Sequence, residues 1–128
     1  MSNSLQKQSI LVMDDDEDVR FIAEFMLKRM GFTVELTSRG SEAIERYQKA
    51  LDAGLPYHAV ILDVNIPGGI GGREVLSQLL SLDPHVNAYI SSGNPFDPLM
   101  ADPAAFGFKG AISKPFIPEN LRILLPPQ

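Results

Sequence analysis

The sequence predicts an α/β domain built on a doubly wound, five-stranded parallel sheet, and three observations carry that expectation. Five short apolar runs alternate with longer segments whose apolar residues recur at helical spacing. The third run, AVIL at 59–62, is continuously apolar, as a strand covered by helices on both faces must be. The first and third runs stop abruptly at aspartate, Asp14 and Asp63. Strand, helix, strand repeated five times implies right-handed crossovers, with helices on both faces of one sheet.

Each element has its own signal. SILVM at 9–13 is the first strand. After Asp14, Asp15 and Asp16, the residues Val19, Ile22, Phe25, Met26 and Met30 recur at helical spacing, so the Phe and Met residues of this first helix are expected in the core. Gly31 ends that helix. TVELT at 33–37 alternates and reads as an outer strand. A second helix begins near Ser41 with Ala43, Ile44, Tyr47 and Leu51 on one face, and Gly54 and Pro56 break it. AVIL then supplies the central strand. Past the glycine-rich stretch 67–72, Val75, Leu76, Leu79 and Leu80 mark a third helix that stops near Asp83 and Pro84. A fourth strand at 87–91 runs into Ser92 and Gly93. Pro95, Pro98 and Pro103 leave room for only a short or irregular helix before a fifth strand near 109–113, closed by Lys114 and Pro115. Pro118 suits the first turn of a last helix with Leu121, Leu124 and Leu125 inward, which Pro126 and Pro127 stop after about two turns.

Composition narrows the function classes. The chain has 128 residues, enough for one domain with an ordinary core. With 11 Lys plus Arg against 16 Asp plus Glu, its net charge of −5 lacks the basic footprint of a phosphate-backbone binder, so direct nucleic-acid contact is not expected. The absence of cysteine removes disulfides, thiolate metal sites and cysteine nucleophiles. No apolar stretch approaches the roughly 20 residues of a bilayer crossing, so no membrane contact is expected. MSNSLQKQ, residues 1–8, reads as a polar leader and not a signal peptide; the domain is expected at 9–125, a tail or linker start at 126–128, and the location in the cytoplasm.

In a sheet of this kind ligands bind at the edge formed by the C-terminal ends of the strands. Asp14 and Asp15 follow the first strand, Asp63 the third, Ser92 the fourth and Lys114 the fifth, so all converge on that edge. Three carboxylates there repel unless a cation offsets them. Oxygen ligands without His or Cys favour Mg²⁺, or Mn²⁺, which takes one or two carboxylates, waters and phosphate oxygens. Lys114 and the Ser92 hydroxyl complete a set suited to a phosphoryl group. Asp63, on the middle strand, is the best nucleophile, since a carboxylate can accept phosphate as an acyl phosphate.

ILVMDDD, VILDVNIPGG, SSG and SKPF, in this order and spacing, resemble the receiver domain of response regulators in two-component signalling. The resemblance covers about residues 9–125. It implies a flavodoxin-like (βα)5 fold with strand order 2-1-3-4-5. It also implies Mg²⁺ at Asp14, Asp15, Asp63 and the Asn65 backbone carbonyl, phosphorylation of Asp63, Ser92 as the switch residue and Lys114 as the phosphate contact. The partner implied is a histidine kinase or histidine phosphotransfer protein, and the domain itself catalyses only its own phosphotransfer and dephosphorylation. PGGIGG, one residue longer than the usual loop, and the segment 91–116 are most similar to receivers attached to hybrid sensor histidine kinases. The family often has Tyr or Phe three residues before the lysine, where this chain has Ala111, so no aromatic rotation is expected there.

Other readings compete at several positions. Asp16 is expected to be a helix cap. PGGIGG lacks the lysine and hydroxyl residue of a phosphate-binding P-loop, and its glycines read as a flexible connection. His58 and His85 stand near strand starts, away from the acidic edge, and are expected to be surface residues. A haloacid-dehalogenase-type phosphatase also uses a nucleophilic aspartate with Mg²⁺, but expects a second aspartate where this chain has Asn65.

Overall fold

The computed structural model describes residues 8–126, so nearly all of the expected leader and tail lies outside the described residues. The strands are β1 (Ser9–Met13), β2 (Thr33–Thr37), β3 (Ala59–Asp63), β4 (Ala88–Ser92) and β5 (Gly110–Ser113). They form one parallel sheet in the order β2-β1-β3-β4-β5. The helices are α1 (Glu17–Arg29), α2 (Gly40–Asp52), α3 (Gly72–Leu82), α4 (Pro98–Ala101) and α5 (Pro118–Leu124), with a 3-10 turn at Pro103–Phe106. The expected flavodoxin-like architecture is the one observed.

Strand alternation divides the interior into two cores. Leu11, Val60, Leu62, Ala88 and Ile90 point toward α2, α3 and α4, where Tyr47, Val75, Leu76, Leu79 and Leu99 meet them. Ile10, Val12, Ala59, Ile61, Tyr89 and Ile112 point the other way, onto Ala23 and Leu27 of α1, Leu121 of α5 and Leu125 just past its end. All five residues of β3 are buried, which is why its sequence is continuously apolar up to Asp63. β4 is likewise buried throughout, and it sits one residue later than expected, ending on Ser92.

Two helix faces depart from expectation. In α1 the buried stripe is Ala23 and Leu27, with Val19 and Met26 beside it and Met30 buried just past its end. Phe21 is 68% exposed, Phe25 57% and Ile22 39%, so the Phe residues are not core. Apolar residues occupy both faces of this helix, and the smallest of them, Ala23, is the one seated against the sheet. Phe25 instead lies under the Arg29 guanidinium, 5.6 Å from its ring centroid. In α3, Leu80 also lies at the rim, 37% exposed, while Val75, Leu76 and Leu79 are buried.

Of the glycines after β3, Gly71 and Gly72 are packing positions and not a flexible connection. A Cβ on Gly72 would stand 2.8 Å from the Asp63 carbonyl oxygen and 2.7 Å from Ile90 Cδ1, and one on Gly71 would collide with the Val64 carbonyl. Their lack of a side chain lets α3 start directly against the end of β3. That packing fixes the backbone from which the Asp63 side chain projects.

Candidate functional site

β1 and β3 run side by side, with Met13 paired to Leu62, so the next residues, Asp14 and Asp63, stand next to each other at the C-terminal edge. Asp14 is 1% exposed and Asp63 6%. The backbone after β1 turns sharply over Asp14, whose Oδ1 accepts from Asp16 N–H at 2.9 Å and whose carbonyl accepts from Arg20 Nη1 at 2.8 Å. That turn leaves Asp15 exposed at the rim. Asp16 caps α1 as expected, accepting from the amides of Asp18 and Val19.

Lys114 follows β5 and reaches back across the sheet edge. Its Nζ lies 2.6 Å from Asp14 Oδ2 and 3.2 Å from Asp63 Oδ2, with the lysine side chain 18% exposed. Its backbone N–H donates to the Ser92 carbonyl at 3.0 Å, and the following bond to Pro115 is cis. The second Asp63 oxygen receives only a long hydrogen bond, 3.4 Å from Asn65 N–H.

The electrostatics follow from this crowding. Burial, and then the neighbouring charge of Asp14, push the Asp63 carboxyl up from 3.8 to about 6, although Lys114 pulls against them. Burial works against the Lys114 ammonium, but the hydrogen bond and charge of Asp14, and after them Asp63, outweigh it and hold the lysine above its usual range. One ammonium thus serves two buried carboxylates, with Asp15 adding a third nearby. Asp14, Asp15 and Asp63 each offer a carboxylate oxygen within 4.8 Å of the others. An all-oxygen donor set with surplus negative charge fits a hard divalent cation such as Mg²⁺ or Mn²⁺.

Ser92 is 9% exposed at the tip of β4, where its Oγ accepts from Asn94 N–H at 3.0 Å and shapes the turn that follows. The expected residues Asp14, Asp15, Asp63 and Lys114 are therefore brought together directly, and Ser92 stands at the same edge. The Asn65 amide is engaged with Asp63, as given above. Ala111 packs against the α2 and α3 core. His58 stacks on Phe32 with ring centroids 5.7 Å apart, and burial lowers its pKa; His85 is exposed, and its N–H donates to Asp83 Oδ1 at 2.9 Å.

Sequence reasoning missed two participants. Arg20 clamps the turn over Asp14, and its position six residues on, in the first turns of α1, is the only sequence signal for that role. Ser91 is buried beside Asp63; only strand parity distinguishes it from Ser92.

The sequence profile of the family described as "Response regulator receiver domain" matches residues 10–125. The putative NtrX-like response regulator of Rickettsia bellii is 32% identical over 120 residues, covering 91% of this chain and 23% of that protein. The chain thus spans about a quarter of that relative's length. The CheX-CheY-BeF3-Mg complex of Borrelia burgdorferi contains a chain that superposes with a TM-score of 0.83 at 21% identity, covering 97% of this chain and 90% of that one. The receiver domain of the sensor histidine kinase PA1611 from Pseudomonas aeruginosa, solved with a magnesium ion coordinated in its active-site cleft, superposes with a TM-score of 0.78 at 22% identity over 93% of this chain and 95% of that one.

Proposed function

The chain belongs to the response regulator receiver domain family, and from that premise we propose that it is a phosphoacceptor module of a two-component phosphorelay, with Asp63 as the residue phosphorylated. One observation carries the reading: Lys114 bridges Asp63 and Asp14 at the sheet edge, with Asp15 alongside. The donor is a phosphohistidine on a histidine kinase or histidine phosphotransfer protein. An Asp63 carboxylate oxygen attacks phosphorus, the bond from phosphorus to the imidazole nitrogen breaks, and its electron pair stays on the imidazole, which takes a proton. Asp14, Asp15, Asp63 and the Asn65 carbonyl would hold Mg²⁺ or Mn²⁺, which would neutralise charge on the transferring phosphoryl group.

Lys114 then has a new anion to contact. Its ammonium, already shared between two carboxylates, turns to the phosphoryl oxygens, and the Ser92 hydroxyl exchanges its Asn94 bond for one to phosphate. The turn after β4 follows, and with it the surface formed by α4 and the 3-10 segment. The protein acts on itself only, taking and losing one phosphoryl group.

The module is proposed to occupy residues 9–125, with a leader before it and a tail or linker after it. Among the described residues no helix is long and apolar enough to cross a membrane, and we place the module in the cytoplasm without nucleic-acid contact of its own. Attachment to a hybrid kinase rests on the PGGIGG and 91–116 segments alone, since the relative named above is a response regulator; the reading frames flanking this chain test it.

Treatment with acetyl phosphate and Mg²⁺ followed by intact-mass measurement tests the phosphoacceptor reading. One added phosphate is expected, absent from Asp63→Asn and from metal-free samples. A full adduct in Asp63→Asn would show that another residue is the acceptor.

A further inference from the structure

Ser91 lies on the face of β4 opposite Ser92 and is 1% exposed, yet its Oγ has no hydrogen-bond partner among the described residues. A buried hydroxyl left unpaired costs free energy and calls for an explanation. The register supplies the setting. Ser91 pairs with Asp63 on one side and with Ile112 on the other. Paired residues of adjacent strands project to the same face, so Asp14, Asp63, Ser91 and Ile112 form one row across the sheet. Asp63 is therefore flanked by Asp14 from β1, met by Lys114 and bordered by the Ser91 hydroxyl on its β4 side. Its apolar neighbours on this face, Ile61 and Ile112, show what an ordinary core position here carries. The other polar side chain of β4 on this face, Tyr89, already donates to the Leu124 carbonyl at 3.1 Å.

We propose that Ser91 is a positioning residue for the chemistry at Asp63: its hydroxyl donates to the carboxyl oxygen that does not carry phosphorus, and so stabilises the carboxylate released when the acyl phosphate is hydrolysed. The inference rests on Asp63 being the phosphoacceptor. In the unphosphorylated protein Lys114 occupies Asp63 Oδ2. Once Lys114 turns to the phosphoryl oxygens, that side of the carboxyl group loses a donor, and the Ser91 hydroxyl, unpaired and in the same row on the adjacent strand, is the group placed to supply one. In hydrolysis the oxygen of water adds to phosphorus and the bond from phosphorus to Asp63 breaks with its electron pair left on the carboxylate. Both hydrogens of the water leave on the inorganic phosphate. Negative charge grows on the carboxylate through this step, so a donor aimed at it lowers the barrier.

The test follows the acyl phosphate. Wild type, Ser91→Ala, Ser91→Cys and Ser91→Thr are phosphorylated with acetyl phosphate and Mg²⁺, freed of donor and followed by intact mass, with peptide mapping to locate the phosphate. Ser91→Ala is expected to lose phosphate roughly three- to ten-fold more slowly than wild type, the size expected for the loss of one ordinary hydrogen bond. Ser91→Cys keeps the volume with a weaker donor and is expected to be slow as well, which guards against a fold defect in the alanine variant. Ser91→Thr restores a hydroxyl and is expected to decay near the wild-type rate. A simple packing defect would admit water and speed the loss, so the sign of the effect separates the two roles. Phosphate on Asp63 that decays in Ser91→Ala and Ser91→Cys as fast as in wild type, or faster, overturns this inference alone. A wild-type protein that takes no phosphate on Asp63 overturns the phosphoacceptor reading and this inference with it.

Discussion

Removing the charge at Asp63 should make the metal-free protein more stable at neutral pH and leave it unchanged in acid. The carboxyl is moved from 3.8 to about 6 by burial and by Asp14, so the folded state holds a proton that the unfolded chain has already lost. The stabilisation that goes with that proton is fully present below about pH 4 and disappears as pH rises through about 6. At about 1.4 kcal/mol per pKa unit, the folded protein loses on the order of 3 kcal/mol across this window through Asp63 alone. The Asp63 side chain is only 8% exposed, so solvent screens little of it. Asp63→Asn abolishes the titration while keeping an oxygen for Lys114. Urea denaturation of both proteins from pH 4 to pH 8, in EDTA, should show the asparagine variant gaining on wild type through the window and levelling off above pH 7. Mg²⁺ should then narrow the gap, because only wild type offers the full ligand set. A difference independent of pH would refute the reasoning, since it would mean that the carboxyl titrates alike in the folded and unfolded chains.

Lys114→Ala strands Asp14 and Asp63 against each other without a cation; the metal-free variant should lose about 3 kcal/mol at neutral pH, and Mg²⁺ should restore more stability to it than to wild type. Equal Mg²⁺ effects in the two, measured by thermal melts, would argue against the acidic trio as the metal site. Gly72→Ala presses a methyl group onto the Asp63 carbonyl and Ile90, and a melt should register a loss of about 1–3 kcal/mol; a neutral result would mean that the start of α3 shifts freely. Hydrogen exchange with and without beryllofluoride should change at Ser92 and across 94–106. Changes limited to α1 and α5 would rule out the route through the turn after β4.

The order of elements was legible because each strand is short, apolar and followed by a segment of helical period; β3 in particular announced its burial by having no polar residue before Asp63. The convergence of Asp14, Asp63 and Lys114 was legible for the same reason, since strand ends in a parallel sheet share one edge. What periodicity misplaced was part of the inward face of α1, by setting Ile22 and the Phe residues in the core. Phe21, Phe25 and Ile22 carry more apolar surface than Ala23, yet the close approach of helix to sheet selects the alanine. The glycines at 71 and 72 were misread because close approach of one backbone to another leaves no mark on the local sequence. Ser91 and Ser92 are chemically identical neighbours, and only the register of β4 against β3 separates their surroundings.

The four residues of α4 are too few to be helical on their own account, because nucleating a helix costs more than one turn returns. Pro98–Ala101 is held by the seat of Leu99, 8% exposed, and by Asp97, whose carboxylate caps the turn. Burying one leucine is worth about 2–3 kcal/mol, so on that seat alone the unseated form would be on the order of one molecule in a hundred. A minority of that size is large enough for a modest bias at Ser92 to enrich it many-fold. The segment is expected to behave as a latch with a shallow well, its release set by how firmly Leu99 is seated, and not as a rigid panel that must be forced.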